Sequence, residues 1–97
     1  MTVTVRIPTP LRVFTDGADE LSLEGATVGV VLDRLASTCE GIGDRVLDGN
    51  GGLRPFVNVF VGPRDVRTQA GLETPVADGD VISIIPAVAG GTVRVDP

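Results

Sequence analysis

The chain contains no histidine, lysine, tryptophan or tyrosine, and a single cysteine, Cys39, among its 97 residues. Without histidine it lacks the side chain that most often moves protons near neutral pH. Ser-His-Asp and Cys-His nucleophile arrangements and histidine metal sites are excluded with it. One cysteine cannot close an intramolecular disulfide, ligate an iron–sulfur cluster or build a zinc ribbon, which removes a ferredoxin-type reading. A lone thiol and the lack of a signal peptide fit a reducing cytoplasm. No apolar run approaches the ~20 residues that span a bilayer, so no membrane partner is expected.

Basic residues are few and of one kind. All eight are arginine, against thirteen acidic residues, for a net charge of −5. That balance argues against nucleic acid as a partner. The missing lysine has two readings: codon bias in a GC-rich genome, or the advantage of lacking side-chain amine nucleophiles that an activated C-terminus could acylate. The sequence does not separate them.

What is present suits one small domain. Hydrophobic residues make up 42% of the chain, enough for a core without staples at this length. With only three aromatics, Phe14, Phe56 and Phe60, that core is built from Val, Ile, Leu and Ala, which leans toward sheet. Residues 2–7 alternate, with Val3, Val5 and Ile7 on one face of a strand. Pro8 and Pro10 interrupt it, and Leu11, Val13 and Phe14 continue irregularly. Residues 20–24 form a second strand through Leu21 and Leu23, giving a hairpin. Thr27 is a good N-cap for a helix with apolar Val28, Val31, Leu32, Leu35, Ala36 and Cys39 on one face, and Gly41 and Gly43 stop it. Another helical turn is expected at 44–47 and a glycine-rich loop at 48–52.

The second half reads as a strand over 55–61, a short edge segment at 66–68, an irregular stretch and a last strand over 81–85. In that strand Ile82 and Ile84 face one way and Val81, Ser83 and Ile85 the other. Apolar residues on both faces place it centrally in a sheet or under a partner. The element order predicts an α+β fold, a mixed sheet of four to five strands packed on one main helix, with the first and last strands able to pair in parallel.

No part of this chain carries obvious catalytic machinery. Cys39 sits on the helix's apolar face with no base to lower its pKa. Asp78-Gly79-Asp80 is a tight turn rather than a metal site, having too few clustered oxygens, and no metal is expected. The end is distinctive: Pro86 stops the strand, small residues follow, and Gly90-Gly91 lack side chains. Such a segment extends ~3.3–3.6 Å per residue and fits a narrow channel. A diglycine alone is equally what a frayed terminus looks like.

In combination, these residues resemble the ubiquitin-like sulfur carriers, which include the small subunit of molybdopterin synthase and the thiamin-pathway carrier. The resemblance spans nearly all of residues 1–91. It is nearest to the cysteine-biosynthesis carriers, through Val5-Arg6-Ile7-Pro8-Thr9, Phe56-Val57-Asn58 and Pro86-Ala87-Val88-Ala89-Gly90-Gly91. It implies a β-grasp domain over 1–89 and a flexible arm over 90–97. It also implies a carrier rather than an enzyme. The Gly91 carboxylate, presented by Gly90, is adenylated by an ATP-dependent activating enzyme, which uses ATP and Mg. A sulfur-transfer enzyme converts it to a thiocarboxylate, and an acceptor synthase consumes it. No cofactor is expected on the domain itself. Ile85, Pro86, Val88 and Phe60 are the implied partner-binding residues. The chain departs from the pattern in residues 92–97, which lock Gly91 in a peptide bond. Cleavage between Gly91 and Thr92 by a separate peptidase is therefore expected. The alternatives are the molybdopterin-synthase small subunit and a non-catalytic β-grasp binding subunit.

Overall fold

The computed structural model describes residues 2–47, 52–55 and 57–86. Five strands form one mixed sheet in the order β2-β1-β5-β3-β4: β1 (Thr2–Arg6), β2 (Glu20–Glu24), β3 (Val57–Val61), β4 (Arg64–Asp65) and β5 (Val81–Pro86). β1 pairs antiparallel with β2 and parallel with β5, while β3 runs antiparallel to both β5 and β4. The parallel β1–β5 pair requires a crossover, supplied by a helix on one face of the sheet. This is the expected mixed sheet on one main helix.

That helix, α1 (Val28–Thr38), begins where expected. The Thr27 hydroxyl accepts from the Val30 N–H at 3.3 Å, satisfying one of the first-turn donors that lack an intrahelical partner. Its stripe of Val28, Val31, Leu32 and Leu35 is buried, as is Cys39. These side chains meet Val3, Val5, Val57, Val59, Ile82 and Ile84 from the inner face of the sheet. The period-2 and period-3.6 patterns therefore converge on one aliphatic core.

Several connections differ from the sequence expectation. The irregular stretch after β1 is a 3-10 helix, Thr9–Thr15. Its Pro10 lies in the first turn, where a missing N–H costs nothing. The first two strands pair as a hairpin would, but through a thirteen-residue link rather than a short turn. α1 does not end on a glycine: Cys39 is extended at φ −120°, and its N–H bonds the Leu35 carbonyl. Gly41 follows at φ +94°, and a Cβ there would lie 2.9 Å from the Phe14 ring. That glycine allows the turn and the ring to share one space. Gly43 opens the short helix α2 (Gly43–Val46) instead of stopping α1.

The edge strand is Arg64–Asp65, two residues earlier than expected, and Val66–Thr68 is a 3-10 turn. The Asp65 carboxylate accepts from the Arg67 N–H at 2.9 Å, a local bond that competes with strand extension. The stretch expected as irregular contains a further 3-10 turn, Gly71–Glu73. The glycine-rich loop call falls on residues 48–51, outside the described residues, apart from Gly52.

Candidate functional site: the root of the C-terminal arm

β5 occupies the centre of the sheet, so its exit is clamped from both sides. Val57 stands opposite Pro86, Asn58 opposite Ile85 and Phe60 opposite Ser83 on β3. On the other side Val5 pairs with Ile82 and Arg6 with Ser83 of the parallel β1. The start of β5 is tied equally firmly. Gly79, at φ +88°, donates to the Thr2 carbonyl at 2.8 Å, and Thr2 N–H donates to Asp78 Oδ1 at 3.0 Å. The Asp80 carboxylate accepts from Ala77 N–H at 2.8 Å. Both carboxylates of the Asp-Gly-Asp turn thus hold backbone N–H groups, Asp78 pinning the start of β1 and Asp80 the residue that leads into the turn. Among the described residues no group of carboxylates and thiols is arranged to hold a metal ion.

Alternation along β5 separates two roles. Ile82 and Ile84 are fully buried, whereas Val81 and Ile85 are among the few large apolar residues left exposed, Ile85 by 47%. The described residues therefore leave the outward set of the central strand largely uncovered. Phe60, half-buried on β3, shares that open face with Ile85 and Ser83. Exposed apolar side chains on the middle strand, rather than at an edge, make a surface suited to a protein partner. Two of the expected partner-binding residues, Ile85 and Phe60, share this face, while Pro86 follows Ile85 at the strand end on the alternate side, opposite Val57. Val88, Gly90, Gly91 and Thr92 lie outside the described residues.

The structure adds neighbours that the sequence did not single out. A shallow hollow at the exit is lined by Arg6, Pro8, Arg12, Ser83, Ile85 and Pro86. Arg12 Nε donates to the Ile7 carbonyl at 3.0 Å, and Arg6 makes an open ion pair with Glu20 at 3.7 Å. Arg67 donates to Asn58 Oδ1 at 2.9 Å and to the Arg54 carbonyl at 2.6 Å. Three guanidinium groups therefore stand around the strand end of an acidic chain. Outward alternation in β1 marked Arg6 as exposed, but only the strand order brings it beside β5.

Elsewhere the chemistry is quiet. Burial, and secondarily the Asp16 charge, push the Cys39 thiol above its ordinary pKa, which disfavours the reactive thiolate. No helix among the described residues is long and apolar enough to cross a membrane.

Comparison with known proteins agrees with this geometry. Residues 5–91 match the ThiS family. The chain belongs to that family. It is 47% identical over 93 residues to the sulfur carrier protein CysO of Mycobacterium tuberculosis, covering 94% of this chain and 100% of that one. A chain in the crystal structure of the Amycolatopsis orientalis BexX/CysO complex superposes with a TM-score of 0.85 at 46% identity, covering 92% of this chain and 99% of that chain. A putative molybdopterin converting factor, subunit 1, from Pyrococcus furiosus superposes at 0.71 with 26% identity, over 91% and 99% of the two chains. The β-grasp, ubiquitin-like fold is thereby shown. The family match stops at Gly91, and the whole length of the mycobacterial relative leaves about six residues of this chain unmatched.

Proposed function

We propose that this chain is a cytoplasmic sulfur carrier, a protein substrate rather than a catalyst, made with its reactive end blocked. Cleavage between Gly91 and Thr92 frees a glycine carboxylate. The observation that carries the reading is the family match ending at Gly91, six residues short of the last residue of the sequence. A carboxylate is a poor electrophile until it bears a leaving group. An activating enzyme using ATP and Mg supplies one by adenylation. A sulfur nucleophile delivered by a second enzyme then displaces AMP, leaving a thiocarboxylate for an acceptor synthase.

The fold supports a division of labour. Residues 1–89 are the recognition domain and 90–97 the arm with its removable block. Ile85, Phe60 and Pro86, with Val88 beyond them, bind partners, while Gly90 and Gly91 reach the chemistry. Gly91 lies five residues beyond Pro86, a span of up to about 17 Å, enough to enter an active site while the sheet face stays docked outside. The higher identity to CysO than to the molybdopterin-type protein, 46–47% against 26%, favours a cysteine-type or related thio-metabolite pathway.

Intact mass spectrometry tests the scheme. With ATP, Mg²⁺, activating enzyme and a sulfide donor, a chain ending at Gly91 gains the mass of one oxygen-to-sulfur exchange. The 97-residue chain gains it only after a peptidase has acted. Efficient modification of the uncut chain rules out the block. Replacing Gly91 with Phe abolishes the exchange in a carrier; retained function would favour a binding subunit instead.

A further inference from the structure

The two edges of the sheet are finished differently. At one edge β4 has only two residues, and Asp65 caps the turn that follows, which leaves little for another chain to pair with. At the other edge β2 is as long as β1, contains no proline and keeps an unbroken register with it. The Ile7 N–H bonds the Asp19 carbonyl at 2.8 Å, so the alternation of an antiparallel ladder makes Val5–Leu21 and Val3–Leu23 the hydrogen-bonded pairs. The N–H and C=O groups of Glu20, Ser22 and Glu24 therefore point away from β1. Among the described residues nothing bonds them.

The groove beside this edge is also incompletely filled. A hollow of about 500 Å³ between β2 and α1 is lined by Ser22, Leu23, Glu24, Arg34, Ser37 and Thr38. Leu21 and Leu23 face inward yet stay half-buried. By contrast Val3, Val5, Ile82 and Ile84, inward on the two neighbouring inner strands, are 2% exposed or less. One more strand would continue the ladder and cover these leucines, its alternate side chains falling into the groove. A second copy of this chain is a poor occupant. Antiparallel pairing of two β2 strands about Ser22 sets Glu20 of each copy opposite Glu24 of the other, and like charges directly opposite are destabilising.

We propose that the β2 edge is a second docking surface, one that takes an extended basic segment of another protein by strand addition. The glutamates that repel a second copy attract Lys or Arg at the two positions facing them. Leu21 and Leu23 select apolar residues at the positions between. The segment that fits thus reads basic, apolar, small polar, apolar, basic. Asp19 adds a third exposed carboxylate along the edge, against the single cation Arg34 in the groove. β2 stands two strands from β5, roughly 10 Å across the sheet, so Ile85 and Phe60 stay open while this edge is filled. The inference does not depend on the carrier reading.

The test titrates the isotope-labelled full chain with an acetylated and amidated peptide, Lys-Val-Thr-Val-Lys, and with its charge-inverted form, Glu-Val-Thr-Val-Glu. The basic peptide is expected to shift the amide signals of Ser22 and Glu24, protect them from exchange, and bind about tenfold tighter than the acidic one. Methylating the threonine amide nitrogen, which faces the edge, should abolish binding, whereas methylating a valine amide, which faces away, should leave it. Combining Glu20→Lys with Glu24→Lys should reverse the charge preference, since both side chains are exposed and outside the core. Equal binding of the two peptides to wild type overturns the inference, as does undiminished binding of the threonine-methylated peptide. Shifts centred on Ile85 and Phe60, or no shift in β2 with the basic peptide, overturn it too. None of these depends on the variant folding. Concentration-dependent shifts of Ser22 and Glu24 without peptide would make a second copy the occupant and refute the choice of a basic segment.

Discussion

Ile84 and Ile85 are adjacent in β5 yet face opposite sides of the sheet, and truncating each separates stability from recognition. Ile84 is 2% exposed and sits in the aliphatic core beneath α1. Its replacement by Ala removes buried methylene groups and leaves a cavity that a packed sheet closes poorly, costing about 2–5 kcal/mol. A domain of this size has only ~5–15 kcal/mol in total. At ~4–8 °C per kcal/mol, the melting temperature falls on the order of 10–30 °C. Ile85 is 47% exposed, so about half of the ~1.5–3 kcal/mol available from full burial is at stake, near 1 kcal/mol. Its melting temperature falls only ~4–8 °C.

Function inverts the order. Ile85→Ala removes the apolar centre of the open face, where truncation of a docking anchor typically costs more than ~1 kcal/mol of binding. Steady-state adenylation by the activating enzyme, assayed where both variants are folded, is expected to lose about tenfold in kcat/KM for Ile85→Ala. Ile84→Ala should keep it nearly unchanged. Two results refute the reasoning. Equal destabilisation by the two substitutions would mean that Ile85 is a core residue, and wild-type kcat/KM for Ile85→Ala would mean that partners dock elsewhere.

Two further expectations concern single side chains. Burial raises the Cys39 pKa in the folded chain, so folding favours the thiol over the thiolate. Its contribution to stability is complete below about pH 8.5 and declines as pH rises through the folded value. Urea melts across pH 7–10 should show a downward slope that Cys39→Ala removes, and an unchanged slope would refute the assignment. Arg67→Lys keeps the charge but cannot bridge Asn58 and the Arg54 carbonyl together. A loss of about 1–2 kcal/mol in the same melts is expected, whereas no loss would show the fork to be dispensable.

Strong local patterns carried most of the fold. Alternation in β1 and β5, the Thr27 cap and the stripe from Val28 to Leu35 each have one dominant physical cause, and each stands as read. The misses fall where two local preferences compete. Asp65 capping the next turn shortened the edge strand to Arg64–Asp65. Gly41 serves a close approach to Phe14 after the helix has already ended at an extended Cys39. The site was legible in part for the same reason. That Ile85 opposes Ile82 and Ile84 follows from strand period alone, whereas Pro86, expected to stop the strand, is itself part of β5, and the residues after it lie outside the described ones. That Arg6 and Arg67 stand near Ile85 follows from strand order, which no local pattern encodes.

On the proposed reading, strand order also bears on how one surface serves several partners. Because β5 is held by β1 and β3 at once, Ile85 and Phe60 keep the same relation whatever group Gly91 carries. The binding energy of that face is therefore the same for the acid, the adenylate and the thiocarboxylate. Uniform binding of this kind lowers the concentration of carrier required but cannot tell the states apart. Discrimination must come from the last residues of the arm inside each enzyme, up to about 17 Å from Pro86. A carrier organised this way can share one docking face among successive enzymes, because the state of its cargo is read only where the chemistry occurs. A bulky residue left after Gly91 blocks that reading without disturbing the docking. The six residues beyond Gly91 should therefore abolish adenylation while leaving affinity for the activating enzyme within a few-fold of the shortened chain's.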